Sequence, residues 1–185
     1  QNLNAQPWSQ PFQSFALAGS LRWQQQLDER WRFELSAAGQ GIRTNDRTAF
    51  PDGCSAGPVY VYPGVCANGD VDVYDYASDG ERRRVGTLDA LLAGSASTGP
   101  VSHELRLGAR QSRFSERFPA LYAYNWVGID NIFAPVTLPA DPTPTVPGPD
   151  STQKLGELSA SDVMRWGPAS LWLGLRWVRL GSRAA

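Results

Sequence analysis

Residues 103–110, HELRLGAR, alternate without a fault: His103, Leu105, Leu107 and Ala109 fall on one side of an extended chain, and Glu104, Arg106, Gly108 and Arg110 on the other. Period two is a strand signal, because successive side chains point to opposite faces of a sheet. The preceding stretch, RRVGTLDALLAGSAST, puts Leu88, Ala90, Leu92, Gly94 and Ala96 on one side and Asp89 and Ser95 on the other, with Leu91 and Ala93 blurring the pattern. A short turn at Ser97-Thr98-Gly99-Pro100 joins the two limbs. One face of this hairpin is apolar and the opposite face carries fixed charges of both signs. That combination suits a wall with lipid on one side and a wet interior on the other.

The same rhythm continues through the chain. Strands are expected at roughly 12–24, 31–43, 82–97, 101–114, 154–165 and 169–180. Phe15, Leu17, Leu21 and Trp23 line one face of the first; Trp31, Phe33, Leu35, Ala37 and Gly39 line one face of the second. The last strand sets Leu171, Leu173, Leu175 and Trp177 against Ser170, Gly174 and Arg176. Short turns, Leu27–Arg30 and Trp166–Pro168 among them, alternate with long connections at about 44–72 and 115–153. The second connection includes PADPTPTVPGPD, which reads as too rich in proline to join a sheet. Outer-membrane barrels show this asymmetry of short periplasmic turns and long extracellular loops. Trp8, Trp23, Trp31, Trp166 and Phe114 lie near strand ends, where aromatic girdles sit.

The totals exclude several classes. A formal net charge of −1 gives no general attraction to nucleic acid or to an anionic membrane. No apolar run is long enough for a membrane-spanning helix, which does not exclude spanning strands, each about ten residues long and half apolar. Helical periodicity with caps is not sustained anywhere. The first residue is Gln and no signal segment precedes it, so a processed or cut N-terminus is expected.

The two cysteines, Cys54 and Cys66, share one Gly/Pro-rich segment, and no Cys/His set for zinc accompanies them. They read as a disulfide closing a small loop in an oxidising compartment, against the alternative of a reduced pair without a role. Catalytic chemistry finds little support. His103 is the single histidine, so no triad can be assembled; Ser95 and Ser97 lack the GxSxG elbow; Gly39-Gln40-Gly41 is not a phosphate loop.

At the residue level, Gly80-Glu81-Arg82-Arg83-Arg84 leading into Leu88-Asp89-Ala90, then the Thr98-Gly99 turn with His103, Leu105 and Gly108, resembles the barrel of TonB-dependent ferric-siderophore receptors. Leu173-Gly174-Leu175-Arg176 resembles a recurrent strand of the same family. The resemblance covers most of the chain, and its sharp part spans about 30 residues. It implies an all-β fold, an antiparallel up-and-down transmembrane barrel segment of about six strands with two long extracellular loops. It further implies location in the bacterial outer membrane, contact with its lipid, and import of a ferric siderophore driven by the TonB system, with no enzymatic activity and no cofactor. The family's plug domain and terminal aromatic residue are not visible, so an internal barrel piece is expected. Six strands fall well short of the 22 of plugged transporters.

Within that frame Asp89, Glu104, Arg106 and Arg110 are lumen-facing charges, grouped with Arg82 and Arg84; they either pin strand register as ion pairs or guide an anionic chelate. Tyr60, Tyr62, Tyr122, Tyr124 and Trp126 fall in the long connections and are candidate ligand contacts, since rings with polar tips pack on a bulky chelate while hydrogen-bonding its rim. Two other readings share the strand pattern: a passive outer-membrane channel, and a soluble β-sandwich binding module.

Overall fold

The computed structural model describes residues 2 and 4–184. Among them there is no helix. The strands are β1 (Gln10–Gln26), β2 (Trp31–Pro51), β3 (Cys54–Ala56), β4 (Val59–Val61), β5 (Asp70–Thr98), β6 (Val101–Arg117), β7 (Leu121–Asn131), β8 (Val146–Pro147), β9 (Ser151–Trp166) and β10 (Ala169–Ala184). The main sheet runs in the order β1-β2-β5-β6-β9-β10, with β7 paired to β5 and β8 to β7, while β3 and β4 form a separate hairpin. The fold is all-β, up-and-down and open: β1 and β10 each have one neighbour in that order.

Two of the tight turns have a simple cause. Gly99 and Gly167 take φ of 59° and 55°, and each is followed by proline, which cannot take positive φ. Positive φ at the first central residue only is the II′ pattern, whose twist matches that of the flanking strands.

Strands reach beyond their expected ends. β5 begins at Asp70 rather than near 82, and β2 continues to Pro51. The Ser78-Asp79-Gly80 stretch, a turn or bulge signal in the sequence, lies inside β5: Gly80 has φ 79° and its N–H is taken by Asn45 Oδ1 at 2.8 Å, so the strand passes through without reversing. The connection expected over 115–153 contains β7, which pairs with the first part of β5. It also contains β8, inside the proline-rich stretch that was expected to stay out of any sheet. There Pro147 stands opposite Leu121 and Val146 opposite Tyr122, on the outer side of β7. Proline is tolerated at such an edge because its missing N–H interrupts no ladder beyond it.

The chain divides into two compact units. The first comprises Gln1–Phe15, Ile42–Arg82 and Arg117–Asp150; the second comprises Ala16–Gly41, Arg83–Glu116 and Ser151–Ala185. The first has a small core of Ala49, Val71, Val73 and Val127, with Trp8 and Leu138 packed against it. A bulge between Val73 and Tyr74 sits in its β5–β7 pairing. Opposite it Gly128 takes φ 139°, and a Cβ there would come within 2.8 Å of Leu138, so glycine is what lets the 132–145 segment lie close. That segment is strapped by reciprocal bonds: Gln6 Nε2 donates to the Val136 carbonyl at 3.0 Å, the Leu138 N–H to Gln6 Oε1 at 2.9 Å, and Trp8 Nε1 to the Leu138 carbonyl at 3.1 Å.

The second unit is an antiparallel ribbon whose register is regular across β6, β9 and β10. Leu107, Ala160 and Leu175 stand in one row, and Gly108, Ser159 and Arg176 in the next. Its outward leucines are not covered by a second layer: Leu107 is 49%, Leu173 54% and Leu175 76% exposed. A soluble sandwich would bury this face.

Candidate functional site

In the first unit, alternation through Asp72-Val73-Tyr74-Asp75-Tyr76 decides everything. Val73 and Asp75 turn towards the core, and Asp72, Tyr74 and Tyr76 turn to the other face. Register places Tyr74 opposite Trp126 and Tyr76 opposite Tyr124. The rings interlock: Tyr74 and Tyr124 stack with centroids 4.7 Å apart and planes within 9°, Phe50 meets Tyr124 edge-on at 5.8 Å, and Tyr76 meets Tyr122 at 5.9 Å.

Two carboxylates hold this cluster. The Tyr124 hydroxyl donates to Asp52 Oδ2 at 2.7 Å, and the Tyr60 hydroxyl donates to the Asp52 carbonyl. Trp126 Nε1 donates to Asp72 Oδ1 at 2.9 Å while Ser55 Oγ donates to Asp72 Oδ2 at 2.8 Å. Gly53 (φ 68°) permits the approach of Tyr60, whose hydroxyl would lie 2.6 Å from any Cβ there. Burial pushes the Tyr124 phenol well above the usual tyrosine range, and the Asp52 carboxylate adds to the shift. Burial also raises Tyr74, followed by the charges of Asp72 and Asp52. These phenols are donors at neutral pH.

The five aromatic residues named from the sequence therefore separate by role. Tyr122 and Tyr124 are half-buried, and the ring and hydroxyl of Tyr124 are both engaged within the unit. Trp126 is 55% exposed, Tyr60 49% and Tyr62 68%. Cys54 and Cys66 form a disulfide with Cα atoms 5.7 Å apart, which ties β3 to the turn before β5. On the opposite face Asp75 is fully buried and accepts from Arg47 Nη2 at 3.1 Å, Arg47 Nε at 3.4 Å and the Asp141 N–H at 2.9 Å. Arg47 also lies 5.6 Å from the Trp8 ring centroid.

The second unit holds the charged face. Arg110 pairs with Asp89, and Glu104 with Arg165. Arg22 reaches Glu34 at 2.5 Å, Arg83 reaches Glu116 at 2.6 Å, and Arg176 reaches Glu157 at 2.6 Å. Arg106 shares this face, opposite Ser161. Glu34, Asp89, Arg110 and Glu157 surround a shallow cavity of about 320 Å³. Arg84 does not belong to the group: it neighbours Arg83, whose partner Glu116 is on the charged face, so period two turns Arg84 the other way. His103, on the leucine face as its position implies, has Nδ1 2.7 Å from Asp162 Oδ2.

Several of these partners were not singled out in the sequence. Asp72, Tyr74 and Tyr76 lie in a locally alternating stretch, Val71-Asp72-Val73-Tyr74-Asp75-Tyr76, which carries strand character by itself. Asp52, Phe50 and Arg47 had no local signal, because each acts on a residue of another strand. Among the described residues no group of acidic, histidine or cysteine side chains is placed to hold a metal ion.

No protein-family model matches the chain, and neither does any curated protein. Solved structures do. The chain is similar to BauA, the ferric preacinetobactin receptor from Acinetobacter baumannii (TM-score 0.68, 16% identity, 94% of this chain against 25% of that one). It is similar also to the ferric-catecholate import receptor Fiu from K12 E. coli (0.68, 14%, 94% against 24%) and to the siderophore receptor PiuA from Acinetobacter baumannii (0.65, 17%, 92% against 26%). The chain thus spans about a quarter of the length of each receptor. Its fold is that of a quarter-length stretch of a siderophore-receptor chain, as the sequence resemblance implied.

Proposed function

We propose that this chain is a stretch of the barrel wall and outer rim of a bacterial outer-membrane receptor, which binds a ferric siderophore and imports it by TonB-coupled transport. The observation that carries the reading is the division of the β6-β9-β10 ribbon into a bare leucine face and an ion-paired face. Exposed leucine rows of this extent are stable against acyl chains, while the paired charges suit a wet lumen. The likeness to three siderophore receptors supports the same assignment.

Recognition falls to the aromatic cluster of the first unit. Tyr60, Tyr62 and Trp126 offer ring faces to a bulky chelate, while Asp52 joins Tyr60 to Tyr124, Asp72 holds Trp126, and Tyr122 packs on Tyr76 in the same cluster. Asp89, Glu104, Arg106 and Arg110 line the lumen, and the Asp89–Arg110 and Glu104–Arg165 ion pairs keep register. The substrate brings its own iron, so no metal ligands and no cofactor need come from this chain.

Uptake of radiolabelled iron chelates by cells that carry the full-length protein as their one siderophore receptor tests this. Uptake is expected to stop on loss of TonB, and Tyr62→Ala with Trp126→Ala to weaken chelate binding roughly tenfold. Uptake indifferent to TonB would instead indicate a passive channel, and unchanged affinity would remove both residues from the site.

A further inference from the structure

The outward face of the second unit changes character along its length. Next to the short turns its rows are apolar apart from the paired His103 and Asp162: Leu105 and Leu173 flank Asp162, Leu107 and Leu175 flank Ala160, and Ala109 and Trp177 flank Leu158. Two rows further from the turns, Arg113 stands directly opposite Lys154, which stands opposite Gly181; one row beyond, Arg183 lies opposite Thr152. All three cations are exposed. They line a shallow groove of about 350 Å³ with Thr152 and the backbone of Gly181.

This face differs sharply from its reverse. Arg22, Arg83, Arg110, Arg165 and Arg176 on the charged face each have a carboxylate partner. Arg113, Lys154 and Arg183 have none among the described residues, and the outward positions around them are Ser115, Thr152, Gln111, Gly156, Gly181 and a fourth exposed cation, Arg179, which stands opposite Gly156 and adds to the positive charge. Like charges directly opposite on neighbouring strands, with Cβ atoms about 5 Å apart, oppose sheet pairing. An external anion relieves that repulsion. The glycine beside Lys154 has open space where a Cβ would stand, which admits a bulky headgroup close to the backbone.

We infer that Arg113, Lys154 and Arg183 form a docking site for the phosphate groups of an anionic lipid in the leaflet away from the short turns. This rests on the membrane-wall reading above. Lipid rather than free phosphate is the occupant because the cations directly continue the leucine face: a molecule with its phosphates on Arg113 and Lys154 lays its acyl chains along Leu107 and Leu175. In barrels with short periplasmic turns, that leaflet is the outer one.

The test uses the full-length protein in detergent micelles, with native mass spectrometry of retained lipid. The probes are a bisphosphorylated glycolipid, the same glycolipid stripped of phosphate, and inorganic phosphate as competitor. The phosphorylated form is expected to be held about tenfold more tightly than the stripped form. The triple variant Arg113→Gln, Lys154→Gln, Arg183→Gln should abolish that difference, whereas Arg22→Gln on the charged face should keep it. Lys154→Gln alone, judged beside its folded-band migration, should lower the preference several-fold and so guards against misfolding of the triple variant. Equal retention of both lipids by the wild-type protein, or an undiminished preference in the variants, overturns the site. Displacement of the lipid by inorganic phosphate shows a simple anion site and overturns the lipid assignment. A protein that remains monodisperse without detergent and retains neither lipid refutes the membrane reading itself.

Discussion

The Tyr124 hydroxyl donates a 2.7 Å hydrogen bond to Asp52 Oδ2 across 72 positions of chain, while its ring stacks on Tyr74. One side chain thereby joins the end of β2, the start of β5 and β7. Tyr124→Phe keeps the stack and removes the donor, leaving a carboxylate oxygen without its partner. A loss of about 1–2 kcal/mol is expected for this unit. Hydrogen exchange over 121–131 reads it, and a cycle with Asp52→Asn isolates the pair: near-additive effects would show that the bond contributes little.

Alkaline pH should loosen the same unit. Tyr74 and Tyr124 hold their protons to higher pH when folded than when unfolded, where the phenol titrates near pH 10. The folded state therefore binds more protons above about pH 10, and the stability present below that point declines as pH rises through it. Tyrosinate absorbance should rise together with loss of exchange protection. Ionisation of all six tyrosines at the unperturbed value, with protection retained, would contradict this.

Asp75 is a second keystone. It is fully buried and takes bonds from Arg47 and from the Asp141 backbone. Asp75→Ala strands a partly buried guanidinium and frees the 132–145 segment, with an expected cost of about 3 kcal/mol. Asp75→Asn keeps one acceptor and should cost less. Limited proteolysis within 134–145 distinguishes them; equal resistance in both variants and wild type would show that Gln6 and Trp8 alone hold the segment.

Reduction of Cys54–Cys66, which spans 12 positions, should free the β3–β4 hairpin. The chain-entropy model puts the loss at about 3 kcal/mol. Exchange over 54–61 should accelerate while that over 101–117 stays constant. Uniform acceleration would mean that the two regions unfold as one.

The strands of the second unit were legible because alternation is local: HELRLGAR states its two faces within eight residues, and Gly-Pro marks two of its turns without reference to anything distant. The apolar and charged faces, and the placement of Glu104 with Arg110, followed from that period alone. Where strands ran on through ambiguous text, as at Ser78-Asp79-Gly80, the sequence offered a turn or bulge signal, and only the pairing of the Gly80 N–H with the Asn45 side chain shows that the strand passes through. In 115–153, proline density concealed β8, and β7 carries no clean alternation because its bulge shifts the period by one residue.

Composition and period-two patterning by themselves determined that this chain makes strands with one greasy face. Tertiary structure decided which carboxylates Tyr124, Arg47 and Arg110 meet. The reason is physical: facing direction is set every second residue along one strand, whereas partnership is set by register between strands, and register is a property of two distant segments that no single stretch contains.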